Sequence, residues 1–340
     1  MRQFAYFCVK LKLQKNINIM SKKLGLIVPH DYKLLSIAAI LEVFETANKL
    51  TSSAEKPFEI ILFQSQEQTD QGNLFGYKSN AIETTDIILD LILIPAFTTD
   101  NMNEMIKKNK NFIPWLKKQH QAGAELASFC TGAFLFAASG LLNEKLATTH
   151  VDACSAFTKA FPMVKLKPEE TLTADGSLYT SGGSTSTFHL LILLVQKFCG
   201  NEMAVKIAKI FSIDLNRYKQ SYFSTFRPNH LHNDTLVAML QQKIESQYHS
   251  IEKLEEITKD IPTSARNMTR RFKQVTGIPP IEYLQNIRVE SSKKYLEQTQ
   301  LSISEIIEKT GYNDPKAFRK VFYKMVGMKP IEYREKFRVQ

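Results

Sequence analysis

Between Leu24 and Phe129, short apolar runs alternate with longer segments whose apolar residues recur every three to four positions. The runs LGLIVP from Leu24, FEIILFQS from Phe58, DLILIPA from Asp90 and AELASF from Ala124 have strand length and are rich in Ile, Leu and Phe. Between them the spacing predicts a helix over about Leu34 to Leu50 and another near Met102 to Gln121. Strands and helices in alternation predict a parallel sheet covered on both faces. Such sheets bind ligands at the carboxyl ends of their strands.

The C-terminal third has a different rhythm, and it is written twice. Glu255, Ile257, Lys259, Phe272, Gly277, Pro280, Ile281, Glu282, Tyr283 and Arg288 recur fifty positions later as Glu305, Ile307, Lys309, Phe322, Gly327, Pro330, Ile331, Glu332, Tyr333 and Arg338. Each copy runs from a helical stretch (IEKLEEITKDI, then ISEIIEKTGY) through a polar break (PTS, then NDP) into a basic helix that stops near Gly277 or Gly327. This is the layout of a helix-turn-helix, whose second helix enters a DNA major groove. Thr263 or Ser264 supplies the first N-cap. Ala265, Met268, Phe272 and Val275 fall on the predicted core side of the first basic helix, and Phe318, Phe322 and Met325 on that of the second. The opposite sides carry Arg266, Thr269, Arg270 and Lys273, then Lys316, Arg319, Lys320 and Lys324. Neither 264 to 277 nor 315 to 329 contains an acidic residue. One basic helix face is commonly mere solvated surface; two at equal register in a repeated unit point to phosphates and base edges.

Charge sharpens the division. The net charge is +10: residues 1 to 23 carry six basic and no acidic residues, 24 to 230 carry 19 against 20, and 231 to 340 carry 19 against 14. The neutral middle suits a domain that handles small molecules or a protein partner, and the basic end suits phosphate. At 340 residues there is room for two or three domains. The boundaries expected are an extension over 1 to 23, a sheet domain over 24 to 215, a linker over 216 to 235 and a DNA-binding domain over 236 to 340. Within the extension, Met20 is the expected start, the preceding stretch being an over-extended reading frame. Cys8, Cys130, Cys154 and Cys199 show neither CxxC spacing nor a disulfide pattern, so a reducing, cytoplasmic compartment without a structural metal is expected. The apolar stretch Phe188 to Val195 is too short to cross a bilayer. His230 and His232 alternate as a metal pair could, but no third ligand is near, and exposed loop residues are expected.

Candidate chemistry gathers where AELASF runs into Cys130 and TGAFLFAASGLL begins a helix. A residue at such an elbow sits at the top of the sheet, beside helix N-terminal amides. Cys130 there is either a nucleophile of depressed pKa, with His150 as its base, or a buried structural thiol. The turn Ser181, Gly182, Gly183, Ser184 precedes an apolar helix beginning near Thr185 and offers further amides to a carboxylate or similar anion. Its glycines answer either to a tight turn needing positive φ or to a ligand.

The strings RRFKQVTGIPPIEYLQNIR (270 to 288) and GYNDPKAFRKVFYKMVGMKPIEYR (311 to 334), joined by a long helix from Pro280 to Gln298, resemble the DNA-binding domain of AraC/XylS regulators. The resemblance implies two recognition helices in successive major grooves. It assigns Arg266, Thr269, Arg270, Lys316, Arg319 and Lys320 to base edges, with Lys273 and Lys324 on phosphates. ASFCTGAFLFAASGLL with ATTH and LTADGSLYTSGG is similar to the PfpI-like, class I glutamine amidotransferase-like superfamily, and more narrowly to its GlxA-type branch fused to an AraC-type domain. The fold implied is an α/β parallel-sheet sandwich, flavodoxin-like and of PfpI type, followed by an all-α tandem helix-turn-helix domain.

Enzymes of that superfamily use the elbow cysteine, a histidine, an acid and backbone amides. Here Cys130 and His150 match, but Ser36 stands where this branch has aspartate, Ala96 where it has glycine, and His189 where an aspartate is expected. Glu42 carries no catalytic role. The dyad is therefore expected to be vestigial, with no cofactor, and Cys130, Thr131, His150, Ser181, Gly182, Gly183 and Ser184 are expected to line a ligand pocket. The resemblance implies a homodimer that binds double-stranded promoter DNA under control of a small effector, an amino acid or betaine, and that engages RNA polymerase if it activates. The alternatives are a cysteine-dependent amidase or glyoxalase-like enzyme, and a sheet domain that serves only as a dimerisation scaffold.

Overall fold

The computed structural model describes residues 21–67, 73–215, 220, 225–226, 228–230, 232–259 and 261–338. Most of the expected extension, and much of the expected linker, lie outside these residues. By its contacts the chain divides between Gln220 and Ser221 into two compact units.

In the first unit the strands are β1 (Lys22–Ile27), β2 (Phe58–Gln64), β3 (Asn73–Leu74), β4 (Tyr77–Ala81), β5 (Leu91–Ile94), β6 (Glu125–Phe129), β7 (Leu146–Ala147), β8 (Lys165–Leu166), β9 (Leu172–Asp175) and β10 (Leu178–Ser181). The helices are α1 (Leu34–Leu50), α2 (Met102–Lys108), α3 (Phe112–Gln121), α4 (Gly132–Ala138), α5 (Cys154–Ala160) and α6 (Ser186–Ile210). Among the described residues eight strands form one sheet in the order β3-β4-β2-β1-β5-β6-β10-β9. It is parallel from β4 to β10, with antiparallel β3 and β9 at the edges. Alternation along β5 shows why runs without polar residues form it: Leu91 and Leu93 enter a core with α1 and α6, whereas Ile92 and Ile94 enter the opposite core with α2, α3 and α4. Both faces are covered, as the sequence predicts.

The single helix expected near Met102 to Gln121 is two. Asn109, 1% exposed, leaves helical geometry between α2 and α3, its side chain accepting the His30 N–H at 2.8 Å and donating to Met105 O at 3.0 Å. A bond to a residue seventy-nine positions away has no local signature. Among the described residues no helix is long and apolar enough to cross a membrane.

The second unit is all-helical: α7 (Thr235–Gln247), α8 (Leu254–Thr258), α9 (Ala265–Thr276), α10 (Pro280–Gln298), α11 (Ile303–Lys309), α12 (Pro315–Val326) and α13 (Pro330–Phe337). The first helix of the repeat is shorter than IEKLEEITKDI suggests, with Ile251 and Ile261 buried on turns to either side of α8. Two cores serve the two copies, and they are built alike. Phe272 meets Tyr283 edge-on at 5.2 Å in the first, and Phe322 meets Tyr333 edge-on at 5.7 Å in the second. Helix α10 belongs to both, giving Tyr283 and Leu284 to one core and Val289 and Leu296 to the other.

Candidate functional site

The basic helices α9 and α12 are the second helices of their turns. Ser264 caps α9, its hydroxyl accepting the Asn267 N–H, and Asp314 caps α12 by accepting from the Lys316 N–H, with Pro315 at the first helical position. Both helices end at glycines held at positive φ, Gly277 at 86° and Gly327 at 87°. Met268 with Phe272, and Phe318 with Phe322 and Val326, are buried. Met325 is only partly so. Ala265 is exposed, against expectation, because it opens α9 before the helix has turned far enough to meet the core.

Arg266, Thr269, Arg270, Lys273, Lys316, Arg319, Lys320 and Lys324 are all exposed, four on each helix; three pairs match across the repeat, and Lys324 falls one position beyond the counterpart of Lys273. Two of them are constrained. The Thr269 hydroxyl donates to Ala265 O at 2.9 Å, and Arg270 Nη2 donates to Asn267 Oδ1 at 3.1 Å. Asn267 in turn donates to Thr263 Oγ1 at 2.9 Å. Asn267 escaped the sequence reading, which sought cations; its spacing of three from Arg270 was the available signal. Arg271 points elsewhere, to the Asp234 carboxylate at 2.5 Å, and that guanidinium with the Val237 N–H holds the Asp234 carboxyl below its ordinary range despite partial burial. His232 is not a loose loop residue: its Nε2 lies 2.7 Å from Gln241 Oε1 and its Nδ1 accepts from the Asp234 N–H. Among the described residues no cluster has the makings of a metal site.

In the first unit the strand ends bring the elbow, the 181–184 turn and His150 together. Cys130 has φ 54°, a left-handed conformation that costs free energy in a side-chain-bearing residue. Its N–H donates to Ser181 O at 3.1 Å, and its carbonyl accepts from Thr149 Oγ1 at 2.9 Å. Burial pushes the Cys130 thiol above its ordinary range, and this outweighs the Lys33 ammonium and the Thr131 and Ser184 backbone N–H groups directed at the sulfur. His150 is driven the other way, below the ordinary imidazole range, by burial and then by Lys33, with Asp152 opposing. Its Nδ1 accepts the Asp152 backbone N–H at 3.2 Å, so the neutral ring carries its proton on Nε2.

A base needs the reverse arrangement at Nε2, with a carboxylate or carbonyl holding the proton on Nδ1. The neutral thiol and the neutral, wrongly protonated imidazole are no nucleophile–base pair. The amides of the loop after β5 are taken. Ala96 N–H goes to Ser36 Oγ at 3.0 Å and Phe97 N–H to Thr131 Oγ1 at 3.0 Å. The two family departures, Ser36 and Ala96, thus bond to one another. His189, the third, joins α6 to the following segment, its Nε2 lying 2.9 Å from Asp214 O.

The amides expected to be free at the start of α6 are engaged as well. Gly183 N–H donates to Gln220 Oε1 at 3.3 Å, and the Ser186 and Thr187 N–H groups to Gly183 O at 2.9 Å and Ser184 O at 3.1 Å. The glycine reading also changes, because neither Gly182 nor Gly183 has positive φ; Ser184 does, at 45°. What both glycines answer to is space. A Cβ on Gly182 would stand 2.0 Å from Gln220 Oε1, and one on Gly183 would stand 2.3 Å from His150 Cδ2. Lys33 and Gln220, missed in the sequence, therefore belong to this site.

A family profile described as a helix-turn-helix domain matches residues 257–336. The HTH-type transcriptional regulator GbdR of Pseudomonas aeruginosa is 20% identical, over 92% of this chain and 84% of its own length. The HTH-type transcriptional regulator GlxA of Rhizobium meliloti is 24% identical, over 65% of this chain and 68% of its own. Among solved structures, a putative transcriptional regulator protein from Vibrio parahaemolyticus is similar over 56% of this chain and 99% of that one, with 19% identity and a TM-score of 0.48.

Proposed function

We propose that this chain, a DNA-binding transcriptional regulator with an AraC-type helix-turn-helix, carries a PfpI-like domain ahead of it, and that α9 and α12 read promoter DNA under control of a small molecule bound by the first unit. The observation that carries the DNA assignment is the pair of equivalent exposed faces, without an acidic residue, on two glycine-terminated helices. Arg266, Thr269 and Arg270 on α9, with Lys316, Arg319 and Lys320 on α12, face base edges. Lys273 and Lys324 take phosphates. Arginine pairs bidentately with guanine whereas lysine is a point charge, so α9 contributes more of the sequence discrimination. The functional boundaries proposed are those read from the sequence, with residues 24–215 as sensor and 236–340 as DNA-binding domain, working in the cytoplasm as a homodimer. An activator would also touch RNA polymerase.

The test is selection of a binding site from random double-stranded DNA with the full chain. Arg270→Ala should then weaken specific binding by roughly 1–3 kcal/mol and relax one base preference. Unchanged affinity and unchanged preference would overturn the assignment.

The chain is a regulator and not an enzyme, consistent with the His150 tautomer and the raised Cys130 thiol. For the effector, the reading rests on the convergence of Cys130, Thr131, His150 and the Ser181–Ser184 turn at the strand ends. Amino acids and betaines are the first compounds to try. At a hundred times its dissociation constant a ligand adds about 2.7 kcal/mol to stability, readable as a raised melting midpoint. A purely architectural first unit is the second reading. It is favoured by the partners already taken by the Ala96, Phe97 and Gly183 amides, and a flat response across the panel would support it.

A further inference from the structure

Gln220 is the last residue of the first unit, fifteen positions ahead of α7, and it is 2% exposed. Its Nε2 lies 3.0 Å from Thr148 Oγ1, 2.9 Å from Thr149 O and 3.0 Å from Pro168 O. Its Oε1 accepts the Gly183 N–H, and its own backbone N–H donates to Glu169 O at 2.9 Å. Three oxygens that share the two protons of one –NH2, with an N–H on the neighbouring oxygen, suit a primary carboxamide. A carboxylate in the same place would set an oxygen against the Thr149 and Pro168 carbonyls, and an ester would offer them no proton. Gly182 leaves room for the Gln220 carboxamide, and Gly183 is shared: its amide binds the carboxamide, while a Cβ added to it would meet the His150 ring.

We propose that this cradle is a carboxamide-recognition site, occupied in the resting protein by Gln220 from the junction with the DNA-binding unit, and that a small molecule carrying a primary carboxamide displaces it. The inference rests on the reading that a small molecule controls the first unit, and it names the chemistry of that molecule. Occupancy by ligand and occupancy by Gln220 are mutually exclusive, so the ligand binds only the state with the junction withdrawn and shifts the population toward it. A tethered group competes at an effective concentration on the order of millimolar. A bare amide must therefore be supplied well above that, while an effector making further contacts toward Ser184 and His150 would act at lower concentration.

The test uses the full chain and propionamide, which reproduces the Gln220 side chain, with propionate and methyl propionate as controls. Trypsin cleavage after Lys219 requires release of the Gln220 backbone N–H from Glu169 O, so its rate reports withdrawal. Propionamide should accelerate that cleavage several-fold and saturably in the wild-type chain, with the two controls inert. In Gln220→Ala the cleavage should be fast without ligand, and propionamide should raise the melting midpoint saturably by filling the vacated cradle. No saturable rise, or an equal rise with propionate, would overturn the recognition site. A rise in Gln220→Ala with no acceleration in the wild type would overturn the displacement. If Gln220→Ala does not fold, the wild-type cleavage series decides alone. Neither arm involves DNA: intact carboxamide binding with DNA binding indifferent to every amide would overturn the regulatory reading and leave the site standing.

Discussion

The guanidinium of Arg288 lies over the ring of Tyr312, 5.2 Å from its centroid, while its Nε and Nη2 donate to Tyr248 O at 2.9 Å and Ile251 O at 2.6 Å. Tyr248 and Ile251 belong to the first helix-turn-helix and Tyr312 to the second, so one side chain from the middle of α10 pins the two together. Arg288→Ala would leave two buried carbonyls without that donor and should cost about 1–3 kcal/mol of stability. Denaturant unfolding of the full chain reads the loss. Arg288→Lys should recover only part of it, since an ammonium cannot meet both carbonyls and also stack. DNA affinity should fall in both variants although Arg288 is buried away from any duplex; unaltered affinity would show that the halves are placed independently.

Variants of Lys324 and Arg270 test the proposed division between positioning and reading. Lys324→Ala should weaken binding evenly across sequences and reduce the slope of log affinity against log salt by about 1. Arg270→Ala should instead change the preferred sequence. Asn267→Ala releases the Arg270 side chain from its 3.1 Å bond and should produce a smaller loss of discrimination of the same kind. Titration of each variant at several salt concentrations distinguishes the three.

Gly183 is restricted by His150 and not by its own φ. Gly183→Ala should destabilise by about 1–3 kcal/mol, as overpacking does. In a His150→Ala background the same change should cost much less. Equal costs in the two backgrounds, in a double-mutant cycle of unfolding free energies, would place the clash elsewhere.

The pH dependence of the first unit follows from two groups moved in opposite directions. His150 is held below its ordinary pKa, so between that native value and about 6.5 the unfolded chain binds more protons. Stability should decline as pH falls through 6.5 and level off below the native value, and His150→Gln should flatten that slope. Cys130 is held above 9.0, so its contribution is intact below that pH and lost as pH rises through the native value. Near pH 8 the native chain should alkylate at Cys130 more slowly than the unfolded chain, measured by mass spectrometry of the labelled peptide.

What could be read from the sequence was what repeats. Apolar runs of period two or none gave β1, β2, β5 and β6, and the fifty-residue echo gave α9, α10, α12 and α13, because each residue there does locally what its counterpart does. The misses are residues whose partners lie far along the chain. Asn109 ends a helix for the sake of His30; Gln220, one polar residue in an aperiodic stretch, closes a cradle made by Thr148, Thr149, Pro168 and Gly183. Gly182 and Gly183 were visible as unusual, yet whether φ or space required them depended on those same distant partners. The departures at Ser36 and Ala96 were noticed singly, and only the fold shows that they are one change, a hydroxyl taking an amide.

Helix α10 makes the repeat of the sequence and the unit of assembly two different things. The copies end at Arg288 and Arg338, but the seam between the cores falls within α10, after Leu284 and before Val289, with Arg288 bound to both sides. Recombination that exchanged the halves at the interhelical turn after Gln298 would hand each recipient a helix fitted to a foreign core. Crossovers between related regulators should instead survive when the joint lies in α10 itself and Tyr312 travels with an arginine at 288. New combinations of half-site preference would then arise by splicing through the middle of a helix, where no loop advertises a boundary.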